Sequence, residues 1–342
     1  MSKKKILLTG GLGFIGSHTA VELINKGFEV VIVDNLSNTT TEPLDGIEKI
    51  TSHRPIFELV DLSKYDQVEA LFQRHPSFDG VIHFAAFKAV GESYNLPLKY
   101  YLNNLTSLSL LLEKCLELKI SNLIFSSSCT VYGEADVLPI NEDSAIKSAL
   151  SPYGNTKQIG EEIILDTIRV NPLFKAIALR YFNPIGAHPS GEIGELPLGT
   201  PLNLVPYVTQ TAAGIRSQLQ VYGNDYDTPD GTNVRDYIHV VDVAKAHVSA
   251  LNRLLLNENI DSFEVFNLGT GTGSSVLEVI QSFEKVSQSK LNYAIVDRRK
   301  GDVTAAYADT SKANTVLGWK AEYTLDDAMR DAWQWEKKIR NI

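Results

Sequence analysis

The chain has 342 residues with a formal net charge of -9, and its 44% hydrophobic and 21% charged residues describe a globular protein with room for a large core. The acidic balance excludes a nucleic-acid partner, because no basic surface would offset phosphate repulsion. No stretch reaches the ~18–20 apolar residues that cross a bilayer. Two cysteines, Cys115 and Cys129, do not make a disulfide framework or a cysteine-rich metal site. The basic start Lys3-Lys4-Lys5 looks like the opening of a signal peptide, but the apolar run behind it ends at Gly10. A reduced, cytoplasmic protein is expected, with no membrane, metal or nucleic-acid partner.

In chain order, strand-like runs fall at Lys5–Thr9, Glu29–Asp34, Ile56–Asp61, Gly80–Ala85, Asn122–Ser127 and Ala176–Tyr181. Helical patterns separate them, at Asp66–Arg74, Leu98–Leu118 and Tyr153–Val170. Alternation at this spacing predicts βαβ units and a parallel sheet covered on both faces. After Asn183 the texture changes. Pro184–Arg235 is rich in Gly, Pro, Asn and Asp, as expected of loops draped over a site. Ser262–Gly269 and Ser275–Val286 return to strand and helix patterns, and Asp326–Lys337 reads as an amphipathic helix. The predicted fold is α/β: a Rossmann-type doubly wound parallel sheet over residues 1–183, then a smaller α/β substrate-binding domain over 184–342. Some segments are expected to cross between the two.

Thr9-Gly10-Gly11-Leu12-Gly13-Phe14-Ile15-Gly16 lies between the first strand and the first helix. It satisfies G-x-G-x-x-G through Gly11, Gly13 and Gly16, and G-x-x-G-x-x-G through Gly10. Glycines let the chain turn sharply and let a pyrophosphate approach the backbone, and the helix N-terminus then stabilises the anion. Asp34 ends the second strand about 20 residues on, where a carboxylate suits the ribose diol of NAD and repels the 2′-phosphate of NADP. Asp61 fits either the adenine edge or the cap of the helix beyond Leu62. Phe84-Ala85-Ala86 ends the fourth strand with residues small enough for a cofactor to lie on the sheet edge, and His83 reads as a core histidine.

Ser126-Ser127-Ser128 ends the fifth strand, and Ser151-Pro152-Tyr153-Gly154-Asn155-Thr156-Lys157 opens a helix, with Pro152 suited to its first turn. Tyr153 and Lys157 are four apart and share a helix face. With the glycine motif, Asp34 and Ser128, this spacing resembles the short-chain dehydrogenase/reductase superfamily, extended branch. Further segments narrow the likeness to the UDP-glucose 4-epimerase family. They are Asn35-Leu36-Ser37-Asn38, Lys88-Ala89-Val90-Gly91-Glu92-Ser93, Ser127-Ser128-Cys129-Thr130-Val131-Tyr132-Gly133, Arg180-Tyr181-Phe182-Asn183-Pro184, Gly223-Asn224-Asp225-Tyr226, Val234-Arg235-Asp236-Tyr237-Ile238-His239-Val240 and Asn267-Leu268-Gly269. The likeness runs from Lys5 to about Trp335.

That resemblance implies the chemistry. Tyr153 as phenolate takes the proton of the sugar 4-hydroxyl while bound NAD accepts the C4 hydride, and the 4-ketose turns over before reduction on its other face. Ser128 relays the proton, and Lys157 binds the nicotinamide ribose. A free phenol is only ~0.1% ionised at pH 7, and lowering its pKa to ~7 takes ~4 kcal/mol, expected from the Lys157 ammonium and the nicotinamide cation. The resemblance also implies a cofactor shell of Gly10, Gly13, Phe14, Ile15, Gly16, Asp34, Asn35, Asn38, Asp61, Leu62, Phe84, Ala85, Ala86, Lys88, Asn103 and Tyr181 around that pair. Tyr181 and Phe182 suit either the nicotinamide pocket or the core. For the UDP-sugar it implies Lys88, Asn183, Asn203, Leu204, Tyr222, Arg235, Arg299, Asp302 and Ala306, beside Ser128 and Tyr153. Arginines fit diphosphate oxygens in a bidentate fashion, while Asp302 also reads as a polar surface residue. The family is commonly dimeric, so a homodimer is expected.

In Arg299-Lys300-Gly301-Asp302-Val303-Thr304-Ala305-Ala306, some family members carry tyrosine where Ala306 stands and act only on the plain hexoses. A methyl there leaves room for a 2-acetamido group, so UDP-GlcNAc and UDP-GalNAc are expected substrates beside UDP-glucose and UDP-galactose, unless another side chain fills the gap. Lys300 departs from the acidic residue common in the family. Two rival functions share the fold. A nucleotide-sugar 4,6-dehydratase needs an acid–base pair after the serine/threonine position, where this chain has Cys129 and Thr130. A non-catalytic NAD-binding protein is expected to lack Tyr153 or Lys157.

Overall fold

The computed structural model describes residues 3–299 and 301–342, so Lys300 lies outside the described residues. The expected strands form at Lys5–Thr9 (β1), Glu29–Asp34 (β2), Ile56–Leu59 (β3), Gly80–His83 (β4), Asn122–Ser128 (β5) and Lys175–Tyr181 (β6). Between them run helices Phe14–Asn25 (α1), Glu42–Thr51 (α2), Tyr65–Arg74 (α3), Val90–Asn95 (α4), Pro97–Glu117 (α5) and Pro152–Val170 (α6). β3 and β4 stop at Leu59 and His83, short of Asp61 and Ala85. The last ladder bonds there are Val60 N–H to Asp34 O and Phe84 N–H to Thr9 O, after which the chain leaves the sheet.

The second half supplies Asn183–Ile185 (β7), Leu204–Ala212 (α7), Leu219–Tyr222 (β8), Val234–Arg235 (β9), Tyr237–His239 (β10) and Val240–Leu255 (α8). It continues with Phe263–Leu268 (β11), Ser274–Ser275 (β12), Val276–Ser287 (α9), Tyr293–Val296 (β13), Ala305–Ala306 (β14), Ser311–Thr315 (α10) and Leu325–Arg340 (α11). The expectation of bare loops over Pro184–Arg235 is corrected by α7 and β8. Pro206 hides α7 in the sequence, but it falls in the helix's first turn, where a missing N–H breaks no bond. Val205 and Val208 are the face that α7 buries.

The central sheet has seven parallel strands in the order β3-β2-β1-β4-β5-β6-β11. β11 is one edge, so a strand beyond residue 184 completes the central sheet, and α8 before it packs on α1. Alternation along each strand explains the two-faced cover. Ile6, Leu8, Val30, Ile32, Ile82 and Ile124 face the α1/α8 core, while Leu7, Val31, Val33, Val81 and Leu123 face the core beneath α3, α5 and α6. Strand order reverses between β1 and β4, which opens a crevice beyond their carboxyl ends. The remaining elements form a smaller layer: the pairs β8–β13 and β7–β10, the three-stranded β12-β9-β14, and a separate core under α7, α9 and α11. Among the described residues no helix is long and apolar enough to cross a membrane.

Candidate active site

A single cleft of about 1890 Å³ runs from the glycine turn, over the ends of β4 and β5, to the arginines of the second layer. Every cofactor and substrate residue expected from the sequence lines it. At one end Gly10 has φ +65°, and a Cβ there would lie 2.7 Å from Ala85 N. A Cβ on Gly16 would meet Gly10 O at 2.4 Å, so only glycine lets α1 seat against the turn. Gly13 caps α1 without a side chain, so the first-turn N–H groups have no side-chain cap, and Phe14 and Ile15 line the cleft.

Asp34 is buried at the end of β2. Its carboxylate accepts from Leu12 N–H at 3.2 Å and Leu36 N–H at 3.0 Å, while burial pushes its pKa above the ordinary carboxylate value. Asn35 and Asn38 follow it along the cleft wall. Asp61 does not cap the next helix. Its Oδ1 accepts from Ser63 N–H and Ser63 Oγ at 2.9 and 2.7 Å, and α3 starts later with Lys64 as its cap. Asp61 and Leu62 line the same cleft as Asp34. An uncapped helix end, a turn with no room for Cβ atoms and a buried carboxylate beside it fit a dinucleotide.

Phe84, Ala85 and Ala86 form the floor after β4, and His83 behind them is a core residue, bonded to Thr9 Oγ1 at 2.8 Å. Burial pulls its pKa down to about 3, so it stays neutral. Lys88 lies over Phe14, 5.9 Å from the ring centroid, and Asn103 donates to Asn104 Oδ1. Asn104 was not legible in the sequence. Buried, it bonds Phe87 N–H, Phe87 O and Thr156 Oγ1, tying the floor loop to α5 and α6.

Ser151 caps α6 by accepting from Gly154 N–H at 3.1 Å, with Pro152 in the first turn, so the helix starts where Tyr153 must point into the cleft. Ser128 ends β5 and caps the short helical turn Cys129–Tyr132 by accepting from Thr130 N–H at 3.2 Å. Lys157 Nζ donates to Ser126 O at 2.6 Å and lies 5.9 Å from the Tyr153 ring centroid. Burial draws its pKa down to about 8, an effect partly offset by Glu161. Tyr153 departs from expectation. Burial, then Tyr181, drives its phenol well above the ordinary value, and only the Ser128 hydroxyl pulls it back. The expected phenolate is thus not a property of the chain alone, because desolvation of the anion outweighs its neighbours. Tyr181 lines the cleft and bonds Ser126 Oγ, with burial pushing it up to about 12.

Across the cleft, Asn183 stands in β7, Asn203 and Leu204 at the start of α7, and Tyr222 at the end of β8. Arg235 donates to Val234 O and Val303 O at 2.8 and 2.9 Å. Arg299 donates to both carboxylate oxygens of Asp302, at 3.2 and 2.8 Å, and Arg235 lies 3.8 Å from the same carboxylate. Asp302 is therefore not a solvated surface residue. With its side chain 10% exposed it fixes both guanidinium groups. Ala306 pairs with Arg235 in the β14–β9 ladder and packs against the small cluster of Val131, Tyr132, Ile140, Phe182 and Ala308. The sequence reading missed Glu195, whose carboxylate accepts from Asn203 at 2.6 Å and lies 3.4 Å from Lys88. A lone glutamate in a Gly/Pro-rich loop carries no periodic signal.

A doubly wound sheet, a glycine turn and a serine–tyrosine–lysine set at the strand ends together define the extended short-chain dehydrogenase/reductase class. A family model described as GDP-mannose 4,6 dehydratase matches residues 7–332. The chain is 49% identical over 336 residues to UDP-glucose 4-epimerase of Bacillus subtilis (strain 168), covering 98% of each chain. It superposes with a TM-score of 0.94 on UDP-glucose 4-epimerase from Bifidobacterium longum in complex with NAD+ and UDP, at 46% identity and 99% of both chains. A UDP-Glc/GlcNAc 4-epimerase from Campylobacter jejuni superposes at TM-score 0.84 with 38% identity, over 98% of this chain and 99% of that one. The chain belongs to the UDP-glucose 4-epimerase family.

Proposed function

We propose that this protein interconverts UDP-glucose and UDP-galactose by reversible oxidation at C4. The observation that carries the reading is one cleft joining Ser128, Tyr153 and Lys157 at the strand ends to the Arg235–Asp302–Arg299 cluster opposite. Gly10, Gly13, Gly16, Asp34 and Lys88 would hold NAD, which when bound supplies a reversible hydride acceptor. Tyr153 removes the proton from O4 and later returns it, and Ser128 passes it between sugar and phenol. Lys157, 5.9 Å from the Tyr153 ring centroid, would together with the cofactor's cation offset the burial that opposes phenolate. Arg235 and Arg299 grip the diphosphate, leaving the sugar free to present either face. Tyr153→Phe is expected to lower turnover at least ~100-fold with NAD still bound, and near-normal turnover would overturn the assignment.

The N-acetylated substrates rest on Ala306. Its methyl, far smaller than a phenol side chain, lines the cleft, and a relative at 38% identity is named a UDP-Glc/GlcNAc 4-epimerase. Ala306→Tyr is expected to remove activity on UDP-GlcNAc and spare UDP-glucose; equal activity on both would sink the idea. Residues 1–183 with α8 and β11 read as the dinucleotide unit, and the rest of 184–342 as the substrate unit. The exposed Leu98 and Leu102 on α5, 71% and 68% accessible, favour a homodimer, which light scattering would test. Both cysteines are free thiols, in keeping with a cytoplasmic setting.

A further inference from the structure

Beneath the catalytic pair lies a buried ion pair that the mechanism above does not use. Glu161 sits one turn beyond Lys157 on α6, so Tyr153, Lys157 and Glu161 form one stripe. Arg180 Nη2 donates to Glu161 Oε2 at 2.5 Å and Arg180 Nε to Oε1 at 3.0 Å, both side chains being almost wholly buried. Ser127 Oγ donates to Glu161 Oε1 at 2.6 Å. Ser127 and Arg180 face each other across the β5–β6 ladder, one step before Ser128 and Tyr181. The three serines ending β5 thus have separate tasks: the Ser126 carbonyl holds Lys157, the Ser127 hydroxyl holds Glu161, and the Ser128 hydroxyl faces Tyr153.

We propose that Glu161 and Arg180 are positioning residues for the Tyr153–Lys157 pair, clamping α6 to the ends of β5 and β6 and setting a charged carboxylate one helical turn beyond Lys157. This rests on the reading of Tyr153 and Lys157 as the catalytic pair. Removing one partner of a buried ion pair is strongly unfavourable, whereas replacing both by apolar side chains of similar volume is often neutral or stabilising. The titratable groups facing the pair come from several elements. They are His83 of β4, Tyr181 of β6, Cys129 after β5 and Tyr100 of α5. Burial keeps His83 neutral at about 3, pushes Tyr181 and Cys129 up to about 12, and raises Tyr100 as well. None of them carries charge at neutral pH. Arg180 holds the far end of the dipole, its guanidinium 4.8 Å from the Tyr132 ring centroid. Glu161 therefore opposes the desolvation of Lys157 and keeps it protonated where the phenolate needs it.

The test is the pH profile of kcat/KM. Deprotonation of Lys157 ends activity on the alkaline side, so Glu161→Gln should move that limb to lower pH by about one unit, with KM at the optimum changed less than about twofold. Gln at this position leaves Arg180 buried without its counter-charge and threatens the fold. The double variant Glu161→Met with Arg180→Met removes both charges at similar volume, and should fold, shift the alkaline limb the same way and lower kcat. Glu161→Asp, which keeps the charge, should leave the limb nearer the parent. Folded variants that retain the parental limb and kcat overturn the proposal. Tyr153→Phe run alongside separates the two failures: if it keeps full turnover, the catalytic reading itself is wrong.

Discussion

Lys157→Met should make the protein more stable while removing most of its activity. Burial lowers the Lys157 pKa from the ordinary 10.5 to about 8. Each pKa unit is worth ~1.4 kcal/mol, so holding this ammonium in the core costs ~3 kcal/mol at neutral pH. The sign follows from proton binding. Between pH 8 and 10.5 the unfolded chain binds the proton and the folded chain does not, so parental stability rises with pH across that window. Methionine has a similar shape and no charge, but leaves Ser126 O without its donor, a loss of ~1 kcal/mol. The net expectation is a gain of ~2 kcal/mol at pH 7, shrinking toward zero or below by pH 10.5. Urea unfolding of nucleotide-free protein at pH 7 and pH 10 measures it, with turnover expected to fall ~100-fold or more. A variant that is destabilised at pH 7, or whose difference from the parent is the same at both pH values, would refute the reasoning.

Gly16→Ala places a Cβ 2.4 Å from Gly10 O and 2.8 Å from Gly11 Cα. Backbone cannot swing aside, so α1 should shift from the turn and NAD affinity fall at least ~10-fold, as read by nucleotide titration; full retention of nucleotide through purification counts against it. Asp302→Ala frees both arginines from their shared carboxylate. Arg299, already 58% exposed, should fall back into solvent, raising KM for UDP-sugars about tenfold with kcat nearly kept, and an unchanged KM contradicts the role given to Asp302.

The parts of this molecule legible in the sequence are those that local rules dictate. The glycine turn, Asp34 and the spacing of Tyr153 to Lys157 each follow from one turn of backbone, and the strands of the central sheet from runs of β-branched residues. What stayed hidden depends on tertiary partners. Phe263–Leu268 reads as a strand, but its place beside β6 follows from the crossover through α8, which no periodicity announces. Glu161 stands next to Glu162, and only the fold shows which of them meets Arg180, 19 residues away. The raised phenol of Tyr153 is hidden for the same reason, since desolvation belongs to the assembled pocket and not to a spacing.

The match to a dehydratase family description shows how far fold carries an assignment and where it stops. Dehydration of a 4-ketosugar needs a base for the C5 proton and an acid for the leaving hydroxyl, both beside the sugar. The two residues after Ser128 stand where that pair would be. Cys129 is pushed by burial up to about 12, so at neutral pH it is an uncharged thiol and no base. Thr130 offers a hydroxyl that is buried without a hydrogen-bond partner, held against Gly154 at the start of α6. Neither can take the C5 proton at neutral pH. On the proposed reading the oxidised sugar is left with reduction at C4 from one face or the other, with Tyr153 and Ser128 as its acid–base groups. The same cleft and nearly the same backbone would serve elimination if two carboxylates stood at 129 and 130. The outcome turns on side chains one and two residues past the strand, not on the sheet that holds them.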